Sequence, residues 1–219
     1  MEKIDHIVDL NQQFINLSPK DRVIKLFEEF DEIVFTSSFG TTAGYLLHLI
    51  NEVKPDQPIY FLDTTYHFDE TIQYKDQLVE QFGLNVVEVL PEQWKNEFTR
   101  TDKTCTKDQD LCCSINKVEP MDQLKAGKKF WISGLLGYQN KHRKELPIFE
   151  QKSDIVKFYP IIDVSEQEVQ AYYQAHQIPF HPLQSQGYES IGCAQCTVKG
   201  KGREGRWTNT SKTECGLHL

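Results

Sequence analysis

Five of the six cysteines stand in positions that suit chemistry. Cys112 and Cys113 are adjacent, Cys193 and Cys196 form a CxxC pair, and Cys215 falls within the last five residues. Two tight thiol pairs are suited to hold a metal centre, since such sites take four thiolates from short loops. A single thiol near basic residues is suited to act as a nucleophile. We therefore expect four metal ligands and one nucleophile.

The spacing favours a [4Fe-4S] cluster held by Cys112, Cys113, Cys193 and Cys196. Zinc sites prefer two to four residues between the ligands of one loop, and a disulfide between adjacent cysteines would strain the peptide that joins them. Structural zinc stays open as the alternative. Cys105 is left over, and a small buried hydrophobic residue is a common role for a free cysteine.

Composition limits the partners and the location. The 219 residues include 32 acidic residues against 24 lysines and arginines, and the net charge of −8 argues against a protein that coats nucleic acid. No apolar run approaches the roughly 20 residues that span a membrane, and residues 1–6 lack the pattern of a signal peptide. We therefore expect a cytoplasmic protein without membrane association, in which clustered thiols stay reduced.

Alternating apolar runs and amphipathic stretches predict an α/β fold, an open, mostly parallel sheet flanked by helices. Ser18-Pro19 is expected to begin one helix, and a capping box from Ser165 to Glu168 another. We expect one α/β nucleotide- and cluster-binding domain over residues 1–197, followed by a basic, glycine-rich tail over 198–219. The predicted strands are residues 32–37, 58–63, 85–90, 130–134 and, as strand or extended segment, 156–163.

A loop of small residues follows the first predicted strand and leads into a helix. Backbone N–H groups at such a helix start face an anion, and a glycine lets the anion come close. A plain strand-to-helix turn is the ordinary alternative. Asp63, at the end of the second strand, stands where open α/β sheets bind ligands, or else caps the next helix. The loop residues are Ser37, Ser38, Gly40 and Thr41.

A basic, glycine-containing segment precedes Trp207 and leads towards Cys215 and His218. A charge run of this kind is ordinarily a solvated, flexible tail. The nearby thiol favours a different function, because positive charge favours the reactive thiolate form and attracts a small anionic substrate. The basic residues are Lys199, Lys201, Arg203 and Arg206.

Several segments together resemble the assimilatory adenylyl-sulfate and phosphoadenylyl-sulfate reductases, from about residue 30 to the end. The Ser-Ser-Phe-Gly loop is less specific, since the wider class of adenine-nucleotide alpha hydrolases shares it. The closing Glu-Cys-Gly-Leu-His is highly specific. The segments are the cysteine pair with Lys117-Val-Glu-Pro, Pro182 to Thr197 with its Cys-Ala-Gln-Cys, Arg203-Glu-Gly-Arg206-Trp207, and Lys212-Thr-Glu-Cys215-Gly-Leu-His218.

The resemblance implies an adenine-nucleotide alpha hydrolase-like fold with a flexible C-terminal catalytic tail and a [4Fe-4S] cluster on the four paired cysteines. The Cys215 thiolate would attack the sulfur of adenylyl sulfate and form an enzyme thiosulfonate. Thioredoxin or glutaredoxin would then release sulfite by thiol exchange. His218 would orient or shield the nucleophile. We expect the cluster to act electrostatically and structurally, without electron transfer.

The resemblance also implies a set of substrate-binding residues. The loop Ser37, Ser38, Gly40 and Thr41 would hold nucleotide phosphate or ribose, with Asp63 and Thr64 near the adenosine. Lys117 would link the cluster to the substrate electrostatically. Arg203 and Arg206 would clamp sulfate and phosphate oxygens, for which planar guanidinium groups are suited. Gln139 and Arg143 complete the set.

The chain departs from the family pattern at three positions where arginines are usual. These positions hold Leu136, Gly137 and Asn116. Fewer cations should weaken binding of an anion, unless other lysines compensate. Four cluster cysteines are associated with adenylyl sulfate, so we favour that substrate and keep the 3′-phosphorylated form, or use of both, as the alternative. The compensating candidates are Lys141, Lys144 and Lys199.

Two further functions remain as competing hypotheses. An ATP-dependent enzyme of the same fold would adenylate its substrate, as in RNA thiolation, but Ser38-Phe-Gly-Thr-Thr lacks an acidic residue to help hold magnesium. A thiol- or iron-sensing protein would use the cluster without catalysis. The oligomeric state stays open, a homo-oligomer included.

Overall fold

Six short strands form one central sheet in the computed structural model, which describes residues 7–208, 212 and 214–217. The strands are β1 (Ile33–Thr36), β2 (Ile59–Leu62), β3 (Val86–Val89), β4 (Phe130–Ile132), β5 (Phe149–Lys152) and β6 (Ile155–Phe158). Their order across the sheet is β3-β2-β1-β4-β6-β5. Neighbouring strands are parallel except β5 and β6, which pair antiparallel. The predicted open, mostly parallel sheet is confirmed.

Helices cover both faces of this sheet. The predicted helix starts are confirmed: Ser18 Oγ accepts from Asp21 N, and Ser165 forms a reciprocal capping box with Glu168. No helix in the described ranges is long and apolar enough to cross a lipid bilayer. The helices are α1 (Ile7–Phe14), α2 (Pro19–Glu29), α3 (Ala43–Val53), α4 (Asp69–Phe82), α5 (Gln93–Thr101), α6 (Thr104–Lys107), α7 (Gln109–Cys113), α8 (Glu119–Lys125), α9 (Lys141–Lys144) and α10 (Glu166–Ala175).

The centre of the sheet positions the functional residues. The strands β1 and β4 pair side by side, and the chain extends the sheet outward from them in opposite directions. Phe35, Ile132 and Phe158 from three adjacent strands are fully buried in the main hydrophobic core. The strand order therefore reverses between β1 and β4, and loops that leave these two strands diverge there to form a crevice.

Three local expectations differ from the structure. The strand β5 was not predicted, because only Phe149 of its four residues is fully buried and no apolar run marks it. The segment from Cys105 was expected to open as a loop and become helical near the cysteine pair, but it is already helical in α6 before the expected helix α7. Helix α4 begins at Asp69 with Phe68 as its N-cap residue. Asp63 instead accepts a hydrogen bond from Thr65 N (2.8 Å), so its expected role as a helix cap is wrong.

The described part of the basic segment packs on the rest of the molecule. Val198 N donates to Gly205 O (2.8 Å), and Trp207 N donates to Cys196 O (3.0 Å). The Trp207 side chain is buried. The first of these hydrogen bonds lies within the segment, and the second holds the segment against the Cys193–Cys196 turn. The division into a domain ending at 197 and a tail from 198 stays a prediction.

Candidate functional site

A pocket opens at the carboxyl ends of β1 and β4, where the strand order reverses. Open α/β sheets bind ligands at this position. All four residues of the predicted phosphate loop line the pocket, next to Ser133 and Gly134 that follow β4. The loop residues carry no formal charge, and we refer to them as the loop wall: Ser37, Ser38, Gly40 and Thr41.

Phe39, in the middle of the loop, has an unusual backbone conformation that shapes the loop wall. Phe39 has a φ of 49°, a left-handed conformation that is uncommon for residues other than glycine. Its fully buried ring packs edge-on against Phe61, with the ring centroids 5.5 Å apart. Ser37 Oγ also accepts a hydrogen bond from Phe39 N at 3.2 Å. Burial of the ring thus stabilises the turn that carries the hydroxyl groups.

Helix α10 fixes the other end of the loop wall through Tyr173. The Tyr173 hydroxyl donates to Thr41 O (3.2 Å) and accepts from Gly44 N (2.9 Å). A Cβ at position 44 would lie 2.6 Å from Ile178 Cγ2, so only glycine fits at this close contact. The loop wall is therefore held by a residue about 130 positions away, as well as by its own turn.

The opposite side of the pocket is charged. Four cationic side chains line it, together with one buried carboxylate. They come from the turn after the cysteine pair, from α9 and from the C-terminal segment, so no single stretch of sequence supplies them. We refer to this side as the cation wall: Lys117, Arg143, Arg203, Arg206 and Glu214.

Glu214 is the residue of the cation wall that the sequence reasoning missed. The residue is 1% exposed, and its carboxylate accepts from Arg143 Nε (2.6 Å) and Nη2 (2.8 Å), from Arg203 Nη2 (2.9 Å) and from Asn140 Nδ2 (2.8 Å). Burial raises the pKa of Glu214, but its bonds to Arg143 and the charges of both arginines hold it below its ordinary value. The available signal was an acidic residue beside the expected nucleophile.

Gln139 and Arg143, both taken from the family resemblance, lie together at the pocket. Gln139 Nε2 donates to Thr42 Oγ1 (3.3 Å), and Gln139 Oε1 accepts from Arg143. Asn140 begins α9 as its N-cap and accepts from Arg143 N (2.8 Å). The Gln139 side chain therefore connects the cation wall with Thr42, the residue that follows the loop wall.

Arg203 and Arg206 both pack on the indole of Trp207, with guanidinium carbons 5.6 and 4.3 Å from the ring centroid. Arg206 Nη1 donates to Ile191 O (3.0 Å), while its buried Nε has no hydrogen-bond partner among the described residues. Burial lowers the pKa of Arg203 to about 10 and also lowers that of Arg206. Gly192 makes room for Arg206, since a Cβ there would lie 2.1 Å from its Nη2.

Cys215 lies in the wall of the same pocket, half-buried. Two residues farther on, Leu217 O accepts from Lys157 Nζ at 2.7 Å. Lys157 is 3% exposed, with its Nζ 4.8 Å from the ring centroid of Trp131. A lone lysine in the apolar strand β6 was the signal for this residue, which the sequence reasoning missed. His218 lies outside the described residues, so its expected role stays a prediction.

A second cavity lies beside the pocket and is lined by thiols. All four predicted metal ligands reach it. Burial, followed by repulsion from neighbouring thiols, raises the pKa of Cys112 to about 12 and that of Cys196 to about 11. A π-helical turn over Ser114–Val118 follows the cysteine pair, and a short 3₁₀ turn over Ala194–Cys196 carries the other. Two local turns thus direct four thiols into one space.

The chemistry of this cavity fits a metal cluster. Thr64 Oγ1 lies 3.4 Å from Cys193 Sγ, and Asn116 Nδ2 donates to Cys112 Sγ at 3.7 Å. Hydrogen bonds to sulfur are typical of the surroundings of metal-bound thiolates. Cys105, left over in the sequence, is also buried at this cavity. Five thiols therefore surround a space for which the spacing predicted four.

Lys117, Arg206 and Trp207 line both cavities. Burial disfavours the charge of Lys117, but the thiols of Cys193, Cys215 and Cys113 raise its pKa above the ordinary value. Lys117 thus interacts electrostatically with candidate metal ligands on one side and with Cys215 on the other. This position suits a residue that links the cluster to the substrate electrostatically.

Two predicted substrate residues lie away from the pocket lining. Asp63 is absent from the described lining, and Thr64 faces the thiol-lined cavity instead. His67 takes a place in the pocket that the sequence reasoning did not assign. Its Nε2 lies 3.2 Å from Leu62 O, and its buried Nδ1 has no partner within the described residues. Burial lowers the pKa of His67, which favours the neutral ring.

The three positions that lack the family's usual arginines face inward. Leu136 is fully buried in the core, and a Cβ at Gly137 would lie 2.7 Å from Ile162 O. The buried Asn116 donates to Cys112 O (2.9 Å). The lysines considered as replacements are exposed and are not part of the described pocket lining: Lys141, Lys144 and Lys199.

Comparison with known proteins gives a consistent result. Residues 32–199 match the family described as phosphoadenosine phosphosulfate reductase domain. An adenosine 5′-phosphosulfate reductase of Bacillus mycoides is 41% identical over 198 residues, covering 86% of this chain and 85% of the relative. A protein of the same name from Bacillus cereus is 40% identical over 202 residues, covering 88% and 86%.

Solved structures agree with the sequence matches. The crystal structure of a phosphoadenylyl-sulfate (PAPS) reductase from Candida auris, in a phosphate complex, superposes with a TM-score of 0.79 at 25% identity, covering 90% of this chain and 98% of that one. An FMN adenylyltransferase of Candida glabrata, at 16% identity and a TM-score of 0.62, shares the fold and covers 92% and 70%. By its sequence match and its fold, the chain belongs to the phosphoadenosine phosphosulfate reductase family.

Proposed function

We propose that the chain reduces adenosine 5′-phosphosulfate to sulfite and AMP in sulfate assimilation, with Cys215 as the nucleophile. The observation that carries this proposal is the position of Cys215 in one pocket with the loop wall and the cation wall. The Bacillus relatives named for this reaction support it. The activity needs a nucleotide site, an anion site and a thiol in one place, and the pocket brings the three together.

The loop wall is suited to the nucleotide part of the substrate. Ser37, Ser38 and Thr41 offer hydroxyl groups, and Gly40 leaves space for a close approach. The neutral His67 offers a buried acceptor nitrogen to a ribose hydroxyl or an adenine amino group. The phosphosulfate would then extend towards the cation wall, where Lys117 and Arg206 face its charge.

The first step transfers the sulfonate group. The Cys215 thiolate donates an electron pair to the sulfur of the phosphosulfate, the S–Sγ bond forms, and the S–O bond to the phosphate breaks. AMP leaves with the bonding electrons, and the enzyme holds a thiosulfonate on Cys215. Lys117 and Arg206 stabilise the negative charge that builds up on the departing phosphate oxygen.

The second step returns the enzyme to its starting state. A thiolate of reduced thioredoxin or glutaredoxin attacks Cys215 Sγ, and sulfite leaves with the electron pair of the S–S bond. The second thiol of the reductant then resolves the mixed disulfide. Two thiols are oxidised to one disulfide for each sulfite formed, so the electrons balance. We place this reaction in the cytoplasm, where such reductants are available.

The thiol-lined cavity is suited to a [4Fe-4S] cluster held by Cys112, Cys113, Cys193 and Cys196. When bound, such a cluster supplies a compact charged group that holds two turns of the chain together. The residues of this chain do the rest: Thr64 and Asn116 orient sulfurs, and Lys117 lies between the ligands and the pocket.

Sulfite release tests the proposal. Protein purified without oxygen is given reduced thioredoxin and either adenylyl sulfate or its 3′-phosphorylated form, with Cys215→Ser as the control. We expect sulfite from adenylyl sulfate and none from the variant. A faster rate with the 3′-phosphorylated form would assign that substrate instead. No sulfite from either, in protein with bound iron, would refute the proposed function.

A further inference from the structure

The C-terminal segment is anchored on both sides of Cys215. Before it, the Glu214 carboxylate accepts four hydrogen bonds from Arg143, Arg203 and Asn140. After it, Leu217 O accepts from Lys157 Nζ (2.7 Å). The chain between these anchors is short, so the position of Cys215 in the pocket follows from where the anchors bind.

The Glu214 anchor is an anion site occupied by the chain itself. Two guanidinium groups surround one carboxylate, and the Arg143 contact is bidentate, the geometry that arginine uses for carboxylates and phosphates alike. Both arginines also line the substrate pocket. If Glu214 were withdrawn, this pair would present two positive charges to the pocket, within reach of any phosphate or sulfonate that entered.

We propose that Glu214 is a positioning residue that sets Cys215 over the substrate by occupying the Arg143–Arg203 pair, and that anionic ligands in the pocket compete with Glu214 for this pair. The inference rests on the proposed role of Cys215 as nucleophile. While Glu214 is bound, the pair keeps one surplus positive charge, and Lys117 and Arg206 face the phosphosulfate. Once Glu214 is released, the pair holds the ligand more tightly and the thiol is open to the reductant.

The variant Glu214→Gln tests this competition, because it keeps the size of the side chain and removes its charge. We expect kcat for sulfite release to fall about 10- to 100-fold, since small displacements of a nucleophile have effects of this size. AMP should bind about three- to tenfold more tightly, because its phosphate no longer competes with a carboxylate for the arginine pair. Iodoacetamide should modify Cys215 about fivefold faster in ligand-free protein, since the segment opens more often.

Glu204→Gln is the matched control. Glu204 is an exposed residue of the same segment, outside the described pocket lining, so all three quantities should match the wild type. A residue with only a structural role would weaken AMP binding and activity together when changed. Weaker AMP binding in Glu214→Gln, or an unchanged rate of Cys215 modification, would overturn the proposal.

A second variant keeps the proposal testable if Glu214→Gln fails to fold. Asn140→Asp keeps the cap of α9, since Asp and Asn are equally good N-cap residues, but turns a carboxylate oxygen towards Glu214 in place of the donating Nδ2. We expect the same three changes with smaller size. AMP binding and thiol modification can be measured without turnover. If the wild type released no sulfite but both variants still showed these two shifts, the proposed function would be refuted and the competition would stand. If the wild type released sulfite but the variants showed neither shift, the proposed function would stand and the competition would be refuted.

Discussion

The two sides of the pocket are built on different principles. The loop wall is neutral, comes from one strand-to-helix connection and is fixed by the buried Phe39 and by Tyr173. The cation wall is charged, comes from three distant segments and is fixed by ion pairs around Glu214. Packing of the loop wall provides a constant shape for a nucleotide, whereas ion pairs can exchange partners. We infer that the first wall recognises the nucleoside part of the substrate, and that the second wall binds its anionic groups and supports the chemistry.

The largest effect should come from Cys215, the thiol between the two walls. Cys215→Ser should lower sulfite release by about 10⁴-fold or more, as removal of a nucleophile does in other enzymes. AMP binding, which depends on both walls, should stay within about twofold of the wild type. The checks are the turnover assay and calorimetric AMP binding. Measurable turnover above about one percent would place the nucleophile elsewhere.

A second prediction concerns the thiol-lined cavity behind the cation wall. Cys193→Ser should lose bound iron and acid-labile sulfide, and with them the activity, because Lys117 and Arg206 line both cavities. Cys105→Ala is the matched control and should keep its iron. The measurement is the iron, zinc and acid-labile sulfide content of the wild type and both variants. Stoichiometric zinc in the wild type would contradict the cluster, and loss of iron from Cys105→Ala would contradict the assigned ligands.

A third prediction compares one residue from each wall. Arg206→Lys cannot keep both the bond to Ile191 O and the packing on Trp207. We expect kcat/KM to fall about 10- to 100-fold, chiefly through kcat. Ser38→Ala should cost only about three- to tenfold, chiefly through KM, since one neutral hydrogen bond is lost.

Salt sharpens the same pair of variants. Raising the ionic strength should leave both differences from the wild type nearly unchanged, because Arg206→Lys keeps the positive charge and Ser38→Ala removes a neutral group. The loss in Arg206→Lys then reflects the forked geometry of the guanidinium and not its charge. Equal effects of the two substitutions on kcat and KM at every salt concentration would remove the distinction between the walls.

The smallest effect is a pH dependence at Lys157, which anchors the segment behind the cation wall. Burial lowers the pKa of Lys157 from 10.5 to about 8, so from pH 8 upward the unfolded chain binds more protons than the folded one. Stability should therefore rise with pH, by about 1 kcal/mol between pH 7 and 9 relative to Lys157→Met. Denaturant unfolding measures it, in a Cys215→Ser background that removes the neighbouring thiol. A difference that stays constant with pH would contradict the burial of a charged lysine.

The same contrast explains how far the sequence could predict the site. The loop wall was predicted residue by residue, because a strand, a small-residue loop and a helix are consecutive in the chain. Arg203 and Arg206 were predicted from the basic segment, and Lys117 and Arg143 from the family resemblance. Glu214 was not predicted, since its ion pair with Arg143 joins residues 71 positions apart. Thr64 faces the thiols because of how β2 and the Cys193 turn meet, which no local pattern indicates.

The fold shows the same limit. Parallel strands rich in Ile, Val and Phe were predicted from their apolar runs, and their bounds differ from the structure by only a few residues. The strand β5 was missed because Glu150, Gln151 and Lys152 give it no such run. Its backbone hydrogen bonds to β6 make it a strand, and no local pattern in the sequence indicates them. Edge strands depend on a neighbour, so tertiary context decides them.

The close contact at Gly137 bears on how substrate preference could change during evolution. A Cβ at this position would meet Ile162 O at 2.7 Å, so an arginine could not be regained here by one codon change without a shift of the turn at 162. Two distant stretches of the gene would have to change together.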